Sequence, residues 1–321
     1  VFLDRGASVL SLNREGNGFR WSTSNGEMQP IDGHQARLTS LTVSSGEGMA
    51  VTSSAKKAIR WHLLTGRMES SLEAKNISEV RWCPDRYSIA LAHEEGVTLW
   101  PLPGIMRLAR ETRKVKAQLP CIAFHPSGER WLRKSEDTTA IEEQVQDPSQ
   151  VTIRLSTEND PITSVAYSPT GEKIVLGTKN GMVILHHRKT GQSQKLVTQT
   201  DAIHRIRFHP GGKFFATASR DRSIWLRDAG NGALIQKLTL HRAEVRGLDF
   251  SPDGRLMASA SDTGELFLWR QKRGSREWER MAGFRLPGMI ADLSFTSNSS
   301  YLLTANANGV AYLLRLLNRD R

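Results

Sequence analysis

A short turn recurs along this chain. Phe124-His125-Pro126-Ser127-Gly128, Tyr167-Ser168-Pro169-Thr170-Gly171, Phe208-His209-Pro210-Gly211-Gly212 and Phe250-Ser251-Pro252-Asp253-Gly254 share an aromatic residue, a polar residue, Pro and a closing Gly. Weaker copies begin at Phe2, Val43, Trp82 and Phe295, so successive copies lie 41, 39, 42, 43, 41, 42 and 45 residues apart. A period of this size marks a repeat architecture and constrains the fold more than any single residue does. It also bears on function, because repeat proteins bind along surfaces built from many units and seldom through one catalytic motif.

The clearest unit runs from Val245 to about Pro287. Val245 to Phe250 alternates apolar with polar residues, as a half-buried strand should. Ser251-Pro252-Asp253-Gly254 then places Ser first, Pro second and Gly fourth in a type I turn, with Pro presetting φ. A second strand, Leu256 to Ala260, ends in Ser261-Asp262-Thr263-Gly264, and a third follows over Leu266-Phe267-Leu268-Trp269. Trp278 to Leu286 can form a fourth. Each unit is thus predicted to be a four-stranded antiparallel meander that leaves two apolar faces uncovered. Copies must therefore stack, and a closed ring of blades buries those faces while protecting strand edges.

Phe250-Ser251-Pro252-Asp253-Gly254, the segment Leu256 to Ser261 with Asp262, the run Leu266 to Trp269 and Gly33-His34 ahead of the second unit resemble the WD-repeat β-propeller family over essentially the whole chain. The resemblance implies a structural hydrogen-bond network of His241, Ser259, Asp262 and Trp269. Other units depart from the pattern, with Arg227 and Leu185 in the place of the third-strand Trp, so the network is expected to be intact in one blade.

The fold class predicted is all-β: one propeller domain over residues 1–321, with repeat turns near Phe2, Val43, Trp82, Phe124, Tyr167, Phe208, Phe250 and Phe295. Eight turns favour eight blades. The runner-up is a seven-bladed ring in which Glu27 to Ile31 complete the last blade and residues 1–25 end a preceding propeller. Strands are expected in the irregular fourth unit at Arg130 to Lys134 and Val151 to Leu155, with uncertain register. Ile105 to Lys116 reads as a short helix or a basic loop. Because the chain opens in mid-unit, it is expected to be the propeller part of a larger protein, appended to an upstream effector such as a kinase, protease or signalling ATPase.

No stretch approaches the ~20 apolar residues of a membrane helix, so no membrane partner is expected. Cys83 and Cys121 stand 38 residues apart near different turns, which suits buried thiols and an intracellular, reducing compartment better than a disulfide or zinc pair. The sequons at Asn76 and Asn298 are discounted as chance triplets.

The histidines give no metal-ligand spacing: His125 and His209 sit in turn positions held elsewhere by Ser, and His186 and His187 are strand neighbours that point to opposite faces. There is no phosphate-cradling loop, nucleophile elbow or calcium-loop spacing. No catalytic residue, metal or cofactor is assigned, and a small-molecule substrate is not expected.

What remains is charge. Lys and Arg outnumber Asp and Glu by 44 to 33, for a net charge of +11, which favours anionic partners. Loops between second and third strands and between successive blades share one end of such a ring. They carry Lys56, Lys57, Lys179, His204, Arg220, Arg222, Arg242 and Arg37, with Glu94, Glu95, Glu136, Asp137, Asp201, Asp221 and Glu244 in equivalent loops. The function predicted is a non-enzymatic scaffold or sensor domain that presents this end to a protein or peptide partner. The alternative is binding of nucleic acid or another polyanion through a basic face, against which stand the lack of a nucleic-acid motif and the commitment of the aromatics to strands.

Overall fold

The computed structural model describes residues 2–3, 8–12, 18–22, 28–31, 34, 36–44, 48–63, 65, 67–84, 88–94, 96–101, 112–114, 121–145, 147 and 149–316. Every regular element among them is a β-strand. The strands pair in sequence order into seven four-stranded sheets and one three-stranded sheet. No helix is long and apolar enough to cross a membrane.

The turn residues do what their chemistry dictates. After the strand Val245–Phe250, Gly254 donates its N–H to the Ser251 carbonyl at 2.8 Å, and Ser251 Oγ accepts from Leu256 N at 2.9 Å. The reversal needs a left-handed closing residue, and Gly254 supplies it at φ +72°. Gly128, Gly171 and Gly212 close the corresponding turns on the carbonyls of His125, Ser168 and His209.

Blades 1 to 7 span 38–73, 79–114, 122–156, 162–196, 203–238, 245–285 and 290–315. Their first strands follow one another around an axis, and Ile290–Phe295 of blade 7 lies directly against Leu38–Val43 of blade 1. The protein is a seven-bladed β-propeller, which corrects the eight-blade expectation. The physical reason is the seam. Asp292 of blade 7 accepts from Ser40 Oγ (3.1 Å) and Leu41 N (3.4 Å) of blade 1, and Leu303 and Ala305 pack into one apolar cluster with Leu38, Leu41 and Ala50. No space is left there for an eighth blade. The strands within 2–31 pair among themselves outside this ring.

The seven-blade alternative also needs correcting in detail. Met28–Ile31 pairs with Gly18–Ser22 and not with Ala311–Arg315, so blade 7 has three strands among the described residues. A local hairpin closes a far shorter loop than pairing with the other end of the chain would. Thr112–Lys114, from the segment read as helix or loop, is the fourth strand of blade 2, paired with Gly96 to Thr98; residues 105–111 and 115–116 lie outside the described residues.

Stability comes from the interfaces between blades. The small residues of the second strands, Ala216, Thr217, Ala218, Ala258, Ser259 and Ala260, are fully buried, which lets neighbouring sheets approach closely. Between blades 5 and 6, Phe214, Phe250 and Trp278 meet edge to face at 5.5 to 6.0 Å. Burial of each such ring contributes roughly 1.5–3 kcal/mol.

The turn histidines act as wedges in these interfaces. His209 stacks on Phe214 at 4.3 Å and donates from Nε2 to the Gly254 carbonyl of the next blade at 3.0 Å. A Cβ on Gly254 would stand 2.6 Å from that Nε2, and one on Gly171 would stand 2.0 Å from His125 Nε2. Gly254→Ala is therefore expected to cost about 2–4 kcal/mol in urea unfolding, from left-handed backbone strain together with the clash. In a His209→Ala background the steric share should disappear, leaving a favourable coupling energy. Equal cost in both backgrounds would mean that the wedge carries no strain.

Candidate functional site

The ladder between first and second strands slips by one residue at the same place in blades 1, 4, 5, 6 and 7: Leu38/Ser40, Ile162/Ser164, Ile203/Arg205, Val245/Gly247 and Ile290/Asp292. A bulge leaves one residue unpaired and re-aims its side chain. The residues so released are Thr39, Thr163, His204, Arg246 and Ala291, and all five line an open cavity of about 1330 Å³ at the mouth of the central channel. The mouth lies at the end that carries the loops between blades and between second and third strands, the end chosen from sequence.

Below the mouth the channel is lined by a layer of charged side chains. Arg205 of blade 5 donates from Nη1 to Glu79 Oε1 of blade 2 at 3.1 Å and reaches Asp292 Oδ1 of blade 7 from Nη2 at 3.0 Å, tying three blades across the axis. Arg81 pairs with Glu79 and lies 3.7 Å from Asp292 Oδ2. Arg207 Nε stands 3.6 Å from Asp249 Oδ1. Three arginines thus face three carboxylates.

Burial alone would raise the Asp292 carboxyl, but the Arg205, Arg81 and Arg207 guanidiniums outweigh it and hold the group below the ordinary Asp value. At Asp249 burial prevails over Arg207, and its carboxyl is raised. Arg207 is depressed to about 10, by burial first and then by Arg81 and Arg205. Burial pushes the Cys121 thiol up to about 12, and its Sγ donates to the Thr163 carbonyl at 3.0 Å, so it is an inert thiol in the channel wall. Cys83 and Cys121 are both free thiols.

Sequence reasoning missed this channel layer because a charged residue alternating with apolar ones reads as solvent-facing. A signal was present. Glu79, Arg205 and Asp292 each stand three residues before the aromatic that opens their turn, and Arg81, Arg207 and Asp249 one residue before it. On an inner strand those offsets point at the axis.

The structure places the candidate partner residues on one end without making them equivalent. Lys56 and Lys57 lie at the turn between the second and third strands of blade 1, Lys179 in that of blade 4, and Arg220 and Arg222 in that of blade 5. Arg242 precedes the first strand of blade 6, and His204 stands in the channel mouth. Arg220 and His204 converge on Glu244, at 2.9 and 3.2 Å, and Glu244 also binds Arg246, which pairs with Asp262. Burial, then Arg246, holds His204 below its ordinary value, so it is neutral at pH 7. Among the described residues Lys56, Lys179, Arg222 and Arg242 are exposed and form no ion pair. The rim is therefore mixed, with separate free cations.

Of the four structural residues, three meet. His241 Nε2 and Trp269 Nε1 both bond Ser259 Oγ, at 2.7 and 2.8 Å. Asp262 does not join them; its carboxylate is taken by Arg246, and His241 Nδ1 faces Glu265 Oε2 at 3.6 Å instead. The same three-residue arrangement recurs in blade 1, where His34 Nε2 and Trp61 Nε1 bond Thr52 Oγ1 at 2.8 and 2.7 Å. The four-residue network is thus complete in neither of these blades, while its His, hydroxyl and Trp part is present in both, and Gly33-His34 with Trp61 was the signal for the second. Burial lowers His34 and His241 to about 4, so both rings are neutral.

Residues 191–228 and 232–270, which span the last strand of blade 4, the strands of blade 5 and the first three strands of blade 6, match the family model described as WD domain, G-beta repeat. These two stretches are WD repeats within the β-propeller. Among known proteins, this propeller is 32% identical over 126 residues to mouse "Telomerase protein component 1", a match covering 39% of this chain and 5% of that protein. It is 25% identical over 287 residues to the Arabidopsis thaliana "WD repeat-containing protein 26 homolog", covering 84% of this chain and 47% of the relative. The matched region thus spans less than half the length of either relative. A chain of the "Crystal Structure of Mitotic Checkpoint Complex" superposes with a TM-score of 0.75 at 15% identity, covering 88% of this propeller and 87% of that chain, a likeness of fold alone.

Proposed function

We propose that this propeller is a non-enzymatic protein-interaction platform that engages a protein or peptide segment with the end bearing the channel mouth. The observation that carries the reading is the repeated bulge. Five blades deliver one side chain each to a single cavity, and Lys56, Lys179, Arg222 and Arg242 are exposed in loops at the same end of the blades. Surfaces assembled from many repeats suit extended partners. The reading extends to an intracellular ring carried by a larger effector protein, in keeping with two free thiols and with relatives much longer than the matched region.

Arg222→Glu combined with Arg242→Glu is expected to abolish capture of the partners that the wild-type chain retains at low salt. Loss of stability should stay within about 0.5–1 kcal/mol, since neither side chain has an ion pair to lose among the described residues. An unchanged set of captured proteins would refute the assignment of this end.

A second reading, polyanion binding, is favoured by the net charge of +11. It predicts retention of duplex or single-stranded oligonucleotides that weakens steeply with salt. No retention at ~50 mM salt would eliminate it.

A further inference from the structure

We propose that the channel beneath the mouth is an anion pocket in which the Arg207 guanidinium, with Arg205 and Arg37 beside it, receives the phosphate or carboxylate of a partner side chain. This deepens the platform reading and rests on it for the source of the anion.

The argument is an accounting of hydrogen bonds. Two of the three channel carboxylates, Glu79 and Asp292, have their acceptors filled from within the protein. Glu79 accepts from Ile122 N (3.1 Å), Arg205 and Arg81. Asp292 accepts from Ser40 Oγ, Leu41 N, Leu293 N (3.0 Å) and Arg205. Asp249 accepts from Phe295 N at 2.9 Å. The guanidiniums are not filled in the same way. Arg207 donates one hydrogen bond among the described residues, from Nη1 to the Ile206 carbonyl at 3.1 Å, and its Nε is too far from Asp249 for another.

Arg205 Nε is buried without a partner. Arg37, exposed at the mouth, bonds only Met289 Sδ among the described residues, at 3.1 Å. All three arginines line the same cavity. A buried donor left unmade is costly, so a site with more spare guanidinium donors than spare acceptors favours an incoming oxyanion.

The acids of the mouth do not oppose this. Glu94, Glu136 and Asp137 stand on blades 2 and 3, and Glu94 accepts from Asn76 (2.7 Å) while Asp137 is paired with Lys134 (2.8 Å). Arg207 and Arg37 stand on blades 5 and 1. An incoming cation would find Glu136 as its one uncommitted carboxylate among the described residues of the cavity wall.

The test is calorimetric titration of the full chain with inorganic phosphate and, separately, with acetate, chloride being exchanged to hold ionic strength constant. Saturable binding of at least one anion is expected with a Kd of about 1 mM or tighter. Arg207→Gln should weaken it about tenfold or more, with Arg207→Lys intermediate because it keeps the charge and loses the fork. Binding of phosphate alone would mark a phosphorylated side chain as the source, and binding of acetate an acidic one.

No saturable heat up to about 20 mM of either anion would overturn the proposal, as would unchanged affinity in Arg207→Gln. Should that variant fail to fold, arginine Nε–Hε resonances of the wild type decide. Phosphate must shift the Arg207 signal and leave exposed Arg273 in place, and the reverse overturns the assignment. Because these measurements need no partner, their failure leaves the platform reading to its own test.

Discussion

Asp292→Ala is expected to lower the unfolding free energy by about 3–5 kcal/mol, because removing one member of a buried ion cluster leaves its partners charged and unpaired. Arg205 would lose one of its two carboxylates, and Ser40 and Leu41 would lose the acceptor that seals blade 7 to blade 1. Urea unfolding of wild type, Asp292→Ala and Asp292→Asn measures it, with Asn expected in between because it keeps an acceptor for Leu41. Wild-type stability of the Ala variant would show that the seam does not depend on this carboxylate.

The pH dependence follows from the direction of the shift. The folded Asp292 carboxyl lies below its unfolded value, so its contribution is fully present above the ordinary Asp range near 3.9. It is lost as pH falls through the folded value. Acid titration of wild type should therefore show a loss of stability below about pH 4 that is shallower in Asp292→Ala. Asp249, whose carboxyl is raised, acts in the opposite sense: protonation as pH falls relieves a cost.

Trp269→Ala should destabilise by about 3–5 kcal/mol through lost burial and the cavity left behind. The side chain is 1% exposed, contacts Phe267 edge to face at 5.9 Å and bonds Ser259. Ser259→Ala should cost only about 1–2 kcal/mol, since it removes a hydroxyl and little volume. Thermal unfolding of both variants separates apolar packing from the hydrogen-bond network. If Ser259→Ala cost as much as Trp269→Ala, the network and not the packing would govern this blade.

The local fold was legible to a large degree. The spacing of Phe, Pro and Gly located the turns, and the alternation in Val245 to Phe250 located the inner strand, because both are enforced by neighbours in the chain. The small residues of the second strand signalled crowded sheets. The site was less legible. Lys56, Lys179, Arg222 and Arg242 were found by loop position, yet nothing local distinguished them from Arg220, whose charge is spent on Glu244 of another blade. Asp262 was assigned to His241 by resemblance, while Arg246, made a neighbour by the bulge at the start of the first strand of that blade, claims it.

By itself the sequence determined a repeating four-stranded unit, its turns and the necessity of stacking, since these follow from side-chain period and backbone conformational limits within about 42 residues. Only the tertiary structure decided that seven units close and that Arg205 spans the axis between Glu79 and Asp292. Both depend on which strands meet across hundreds of residues, where packing at one seam and charge balance on one axis are settled by all the blades together.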